Sequence, residues 1–374
     1  MNIGIDLLYV KHKQVGGIES YIRNLMDGFA KYAGNEFKFF IFTSLDNYES
    51  FKCYLNHPNF SNILCNVESG KVSKRLIWES LHIDNLAKKN NIDMMFIPVY
   101  NKPFFTHSGI PYITVIHDLQ MIHYPQYSSK LKLIWMQLSW KNALKTSKRI
   151  IAISNYVKDD ILTNFKVNSD KIKVINNPIV TNSYQKKMVE FEKISKHYCV
   201  EENNYFYTVS SMELHKNLKT VLKVMKNIID NKLELPNKLV ITGVGGKGKE
   251  SLYKLIEEYN LKNKVVLTGF ISNEERDCLY KNCKIFLFPS VFEGFGMPPI
   301  EALMYGKNVV TTNCASIPEV TNNKAIYVMD PFDVNEWIEK IKIAVNKVNN
   351  PEKFSQYELE KVCKCYLKEF AEIK

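Results

Sequence analysis

The strongest constraint in this chain is a series of short apolar runs that recur along nearly its whole length. The run FKFFIFTS (37–44) is continuous, as expected for a parallel strand covered on both faces, and DMMFIPV, YITVIHD, RIIAISN and KIKVINN repeat the type. NIGIDLL opens the chain in the same way. Between the runs the spacing changes. In GIESYIRNLMDGFAKY the apolar residues Ile18, Tyr21, Ile22, Leu25 and Phe29 follow a helical period. Helices are also predicted over 75–89, 128–147 and 154–165. Strands alternating with helices predict an α/β fold with a parallel sheet.

The alternation stops and then restarts. A stretch with no clear strand, TNSYQKKMVEFEKISKHYCV, ends at 200, and YFYTVSS, KLVITG, KVVLTGF, IFLFPS, NVVTTN and AIYVMD follow with helices between them. We therefore expect an N-terminal domain over 1–182, a linker over 183–200 and a C-terminal domain over 201–350. The last helix, 352–374, is expected to complete the first domain. Both halves are doubly wound, and such sheets bind ligands beyond the carboxyl ends of their strands. The expected site is thus a cleft between the domains, with its chemistry just after strands.

A chain of 374 residues, 45% hydrophobic and 24% charged, can bury two such cores. It contains no run of 18 apolar residues, and its first residues lack the pattern of an export signal. Eight cysteines without paired CxxC spacing predict reduced thiols in the cytosol. The net charge of +11 favours anionic partners: phosphorylated ligands, anionic lipid or nucleic acid.

The stretch FPSVFEGFGMPPIEALMYGK (288–307) carries Glu293 and Glu301 around a predicted helix start near Pro298. Proline suits a first helical turn, and Gly294 and Gly296 permit close approach and unusual dihedrals. Free N–H groups at such a start suit a phosphate. Glu301 can accept hydrogen bonds from a vicinal diol such as a ribose, and Glu293 can hold sugar hydroxyls. In QVGGIESYI, Gly16 and Gly17 open a helix and can admit an anion. His117 and Asp118 end a strand. His215 and Lys216 follow the first strand of the second half, where Lys216 can neutralise a diphosphate. GVGGKG (243–248) fits a dinucleotide-type spacing, but no acidic residue ends the next strand, so we read it as structural or base-adjacent. Segment 130–149 has six basic residues and no acidic one, interleaved with Leu131, Ile134, Trp135, Leu138 and Trp140. It reads either as a core-facing helix with a solvated basic face or as a contact for anionic lipid.

SVFEGFGMPPIEALMYG closely resembles the Glu-seven-residue-Glu signature of the retaining nucleotide-sugar glycosyltransferases of family 4, and VGGIESYI, VIHDL, IIAISNYVKDDI, HKNL and SIPEV extend the resemblance over most of the chain. It looks closest to bacterial mannosyltransferase-like members that build surface polysaccharides. The resemblance implies the GT-B fold, two Rossmann-like domains facing a central cleft. It implies transfer of a hexose, first guess mannose from GDP-mannose, to a glycan or polyprenyl-pyrophosphate-linked acceptor, with retained configuration and without a metal or other cofactor. The implied catalytic residues are His117, Lys216 and Glu293. The implied donor contacts are Gly16, Gly17, His215, Lys216, Phe270, Glu293, Gly294, Phe295, Gly296, Met297 and Glu301. Where the family usually carries an arginine, this chain has Ser211 and His215, so a protonated His215 is a candidate aid to Lys216. The expected location is cytoplasmic, at the inner face of the plasma membrane, with no nucleic acid as partner. The alternatives are a nucleotide-sugar epimerase or hydrolase of the same architecture, a retaining glycosidase, and a non-catalytic basic anion-binding protein.

Overall fold

The computed structural model describes residues 1–11, 16–181, 189–243, 245–246 and 248–373. The chain divides into two compact units, one formed by Met1–Val180 with Ser355–Lys374, the other by Thr181–Phe354.

The first unit holds a seven-stranded, wholly parallel sheet. Its strands are β1 Asn2–Asp6, β2 Lys38–Ser44, β3 Phe60–Cys65, β4 Met94–Ile97, β5 Tyr112–Ile116, β6 Arg149–Ala152 and β7 Ile172–Val174. Their order is β3-β2-β1-β4-β5-β6-β7, and β1 sets Ile3 opposite Met94 of β4. The apolar runs are buried as expected for central strands; β4 and β5 are buried at every position. Sequence reading missed β3. It is an edge strand with exposed Ser61 and Leu64, so it lacks the continuous apolar signature of its neighbours.

The last helix, Leu359–Glu372, packs on the helix Gly17–Tyr32. Gly28 allows the approach: a Cβ there would lie 2.0 Å from Cys363 Sγ. Tyr21 and Tyr366 share a hydrogen bond of 2.6 Å between their hydroxyls, and Phe370 lies against Phe29 and Phe96.

The second unit holds six parallel strands: β8 Phe206–Val209, β9 Leu239–Thr242, β10 Val265–Gly269, β11 Ile285–Phe288, β12 Asn308–Thr312 and β13 Ile326–Val328. The order is β10-β9-β8-β11-β12-β13, and the winding direction reverses between β8 and β11. Its core joins Val221, Leu222, Val224 and Met225 of the helix Leu218–Asp230 to Trp337 and Ile341 of the helix Val334–Asn346. The segment expected to be a linker carries a helix, Phe191–Tyr198, that buries Ile194 and Tyr198 and contacts the helix Asn273–Asn282. Its apolar residues are few, which is why its period did not stand out. Residues 183–188 of that segment lie outside the described residues. Among the described residues no helix is long and apolar enough to cross a membrane.

Candidate functional site

In the second unit the sequence-predicted residues converge where the sheet order reverses. Beyond β8 the chain makes a tight turn at Leu214–Lys216, and Asn217 takes a left-handed conformation (φ 52°) before the next helix. Asn217 is tied down by its side chain, which donates to Pro331 O and accepts from Thr220 Oγ1. Lys216 is thereby aimed across to the loop beyond β11. Its Nζ donates to Glu293 Oε1 at 2.6 Å, and the two side chains are 18% and 13% exposed. The loops are also joined through the backbone, since Val291 N donates to His215 O at 2.9 Å.

The loop that carries Glu293 is held from behind. Ser316 Oγ lies 2.9 Å from Glu293 O and 3.0 Å from Phe295 O. Gly294, Phe295 and Gly296 are buried. Gly296 has φ 86°, a left-handed conformation that a side chain disfavours, and it leads into the helix Met297–Met304. Met297 starts that helix one residue earlier than expected, so Glu301 is its fifth residue and falls one turn in, not in the first turn. There Glu301 Oε2 accepts a 2.8 Å hydrogen bond from the Tyr280 hydroxyl. Sequence reasoning missed both Ser316 and Tyr280. Ser316 lies in the quoted SIPEV, whereas Tyr280 is one buried position among many on a helix.

His215 corrects an expectation. Burial, then the neighbouring Lys216, hold its imidazole down at about 4, against a smaller opposing pull from Glu293. At neutral pH it is uncharged, so it is not a second cation beside Lys216. The same depression links folding to pH. The folded imidazole stays neutral where the unfolded one, near 6.5, takes up a proton. Its contribution to stability is therefore full above about 6.5 and is lost as pH falls towards 4. His215→Gln is expected to flatten the pH dependence of stability across that window relative to the wild type, read as urea midpoints; an unchanged slope would contradict this.

Phe270, just past β10, is 63% exposed. The GVGGKG loop packs its backbone on the loop beyond β8: Met212 N donates to Gly245 O, and a Cβ at Gly246 would lie 2.6 Å from Met212 C. That is a structural role, in which the glycine answers a close backbone approach. Val244 and Lys247 of this loop lie outside the described residues.

In the first unit, Gly16 caps the helix that Gly17 begins, and Ser20 N donates to Gly16 O. Gln14 and Val15 of the same motif lie outside the described residues. His117 follows β5 and is 8% exposed. Its ring meets Tyr21 edge-on at 4.9 Å, and Nε2 lies 2.8 Å from Pro98 O. A carbonyl only accepts, so Nε2 carries the proton. Burial holds the ring at about 4, which leaves Nδ1 a bare acceptor at neutral pH. Asp118 Oδ1 accepts from Gln120 N and so orients the following turn. At the end of β1, Asp6 is buried and accepts from Leu8 N at 3.0 Å; its burial raises the carboxyl to about 6.

The helix Lys130–Thr146 divides the residues interleaved in the sequence. Trp140 is buried and Trp135 lies on Phe104 at 5.3 Å, whereas Leu131, Ile134 and Leu138 are exposed beside exposed lysines.

A family model described as Glycosyltransferase Family 4 matches residues 15–183, and one described as Glycosyl transferases group 1 matches 190–361. The chain is 29% identical over 255 residues to the O-antigen chain mannosyltransferase RfbU of Salmonella typhimurium, covering 66% of this chain and 67% of that protein. It is 26% identical over 240 residues to O-antigen chain mannosyltransferase B of Escherichia coli, covering 63% of this chain and 62% of the relative, so the match leaves over a third of that protein aside. Among solved structures, HepE of Anabaena in complex with UDP-glucose superposes with a TM-score of 0.72 over the whole of both chains at 15% identity. WaaG, described as a glycosyltransferase involved in lipopolysaccharide biosynthesis, gives 0.68 over all of this chain and 95% of its own, at 14% identity.

Proposed function

The chain belongs to the family 4 glycosyltransferases of GT-B fold, and from that premise we propose that it moves mannose from GDP-mannose to a glycan or polyprenyl-pyrophosphate-linked acceptor in surface polysaccharide synthesis. The likeness to two O-antigen chain mannosyltransferases supports the sugar and the pathway class. The observation that carries the chemistry is the Lys216–Glu293 pair, a cation held at 2.6 Å beyond β8, at the point where ligands bind in doubly wound sheets.

A nucleotide-sugar donor leaves a diphosphate, and charge aimed in advance at the leaving group is the largest expected catalytic contribution. Lys216 supplies that charge, with Glu293 fixing its direction and contributing to the sugar side. In our reading no divalent metal is needed. We propose retention by front-face attack: the acceptor oxygen bonds to the anomeric carbon, the bond to the phosphate oxygen breaks on the same face, and that oxygen takes the acceptor proton. Glu293, already paired, is not assigned as a nucleophile. Glu301 holds the ribose diol, Phe270 borders the base, Gly16 and Gly17 serve the phosphate, and the bare Nδ1 of His117 accepts from a sugar hydroxyl. The exposed Leu131, Ile134 and Leu138 among lysines support a second assignment, peripheral contact with the anionic inner face of the plasma membrane.

The neighbour solved with UDP-glucose makes a UDP-sugar the competing donor. A thermal-shift panel of GDP, UDP, GDP-mannose and UDP-glucose, followed by a transfer assay with and without chelator, separates these. GDP and GDP-mannose are expected to stabilise most, and transfer is expected to survive chelation. Stabilisation by UDP alone would replace the donor, and a strict metal requirement would overturn the charge model. Turnover of donor without acceptor would favour the epimerase or hydrolase.

A further inference from the structure

Resting on the reading of Glu301 as the ribose contact, we infer that Tyr280 is a positioning residue that aims the Glu301 carboxylate and thereby sets how strongly the enzyme prefers a ribonucleotide over a 2′-deoxyribonucleotide donor.

The helix Asn273–Asn282 begins at a capping box, in which the Ser272 hydroxyl accepts from Glu275 N and the Glu275 carboxylate accepts from Ser272 N. That fixed start buries Tyr280 fully, two turns on. Its ring is held on three sides. Tyr207 meets it edge-on at 5.0 Å, Phe286 is tilted against it at 5.2 Å, and Tyr305 stacks on it at 5.7 Å with 11° between planes. A tyrosine has only two side-chain torsions, so a ring held this way points its hydroxyl in one direction. That direction is Glu301 Oε2, 2.8 Å away. Burial and the Glu301 charge keep the phenol well above its usual range, so it stays a donor.

Tyr305 closes the arrangement from the other end. It follows the helix that carries Glu301, and its N–H lies 3.1 Å from Glu301 O. Arg276, one turn before Tyr280, adds charge. The Glu301 carboxylate is the largest influence holding its guanidinium ionised, and its Nε has no hydrogen-bond partner among the described residues. Glu301 thus has one oxygen committed to Tyr280 and Oε1 left for a diol. A free glutamate would lose rotamer freedom on taking up a ligand, whereas this one is already ordered. A diol needs that order, because two hydroxyls must meet one carboxylate at once.

Calorimetry with GDP, UDP and their 2′-deoxy counterparts tests this. Tyr280→Phe keeps the stacked ring and deletes the donor. It is expected to weaken the preferred ribonucleotide about tenfold, the scale of a hydrogen bond to a charged group, with the 2′-deoxy form nearly unchanged. KM for the donor should rise while kcat stays within about twofold, as expected for lost uniform binding. In a Glu301→Ala background the same change should have no further effect. Arg276→Met, which leaves the stack in place, is expected to reduce the ribose preference in the same sense and serves if Tyr280→Phe does not fold. Ribose discrimination equal to wild type in the folded variants would overturn the inference, as would an equal loss for Tyr280→Phe with and without Glu301. Failure of the wild type to bind any nucleotide would instead overturn the reading of the site beneath it, and the inference with it.

Discussion

Lys216→Met is expected to lower kcat for sugar transfer by about 10²-fold or more, the scale seen when one preorganised charge-stabilising group is removed. The side chain is 18% exposed and its ammonium lies 2.6 Å from Glu293, so its position is set before any substrate arrives. Glu293→Ala is expected to lose at least tenfold, because it removes both a sugar-side contact and the partner that directs Lys216. Single and double variants are expected to differ in stability. Each single variant leaves one charge in a mostly buried place without its partner, which is destabilising. A Lys216→Met/Glu293→Gln double variant leaves no charge behind and should recover most of that stability while staying inactive. Rates of both single variants within a few fold of wild type, measured on folded protein, would sink the assignment. Recovery of activity in the double variant would show that the pair serves structure alone.

Phe370→Ala should destabilise the first unit by about 3–5 kcal/mol, the range for truncating a fully buried phenylalanine. Phe370 is fully buried, 5.7 Å from Phe29 and 5.4 Å from Phe96 between ring centroids. Both partners lie far earlier in the chain, Phe29 on the helix Gly17–Tyr32 and Phe96 on β4. The loss should therefore appear in amide protection of β1, β4 and the helix Gly17–Tyr32. Trp337, buried in the core of the second unit, provides the contrast: Trp337→Ala should lower protection of β8 to β13. Hydrogen exchange followed by mass spectrometry distinguishes the two patterns. Loss of protection confined to residues 359–372 in Phe370→Ala would contradict the packing described for the first unit.

Both sheets were readable from the apolar runs because a central parallel strand is covered on both faces and must be apolar nearly throughout. The same argument explains the strand that escaped. β3 lies at an edge, with Leu64 exposed, and its composition carries no such requirement. The helix Phe191–Tyr198 escaped because a single turn of buried contacts, Ile194 and Tyr198, is too little period to detect. Around the candidate site, residues at strand ends were legible from motif spacing, since Lys216, Glu293 and Glu301 each sit a few positions past a predicted strand or inside the helix after it.

What remained hidden was the partner of each group. Spacing along the chain is local, and it determined which residues lie near the carboxyl ends of β8 and β11. It carried no information on protonation: His215 looked like a spare cation, and its burial beside Lys216 keeps it neutral down to about pH 4. Nor did it connect Tyr280 to Glu301, 21 positions apart on two different helices. The chemical types and their order thus belong to the sequence, because strand and helix periods are properties of neighbours in the chain. Desolvation and hydrogen-bond direction belong to the tertiary structure, because both depend on groups that meet only when distant segments pack.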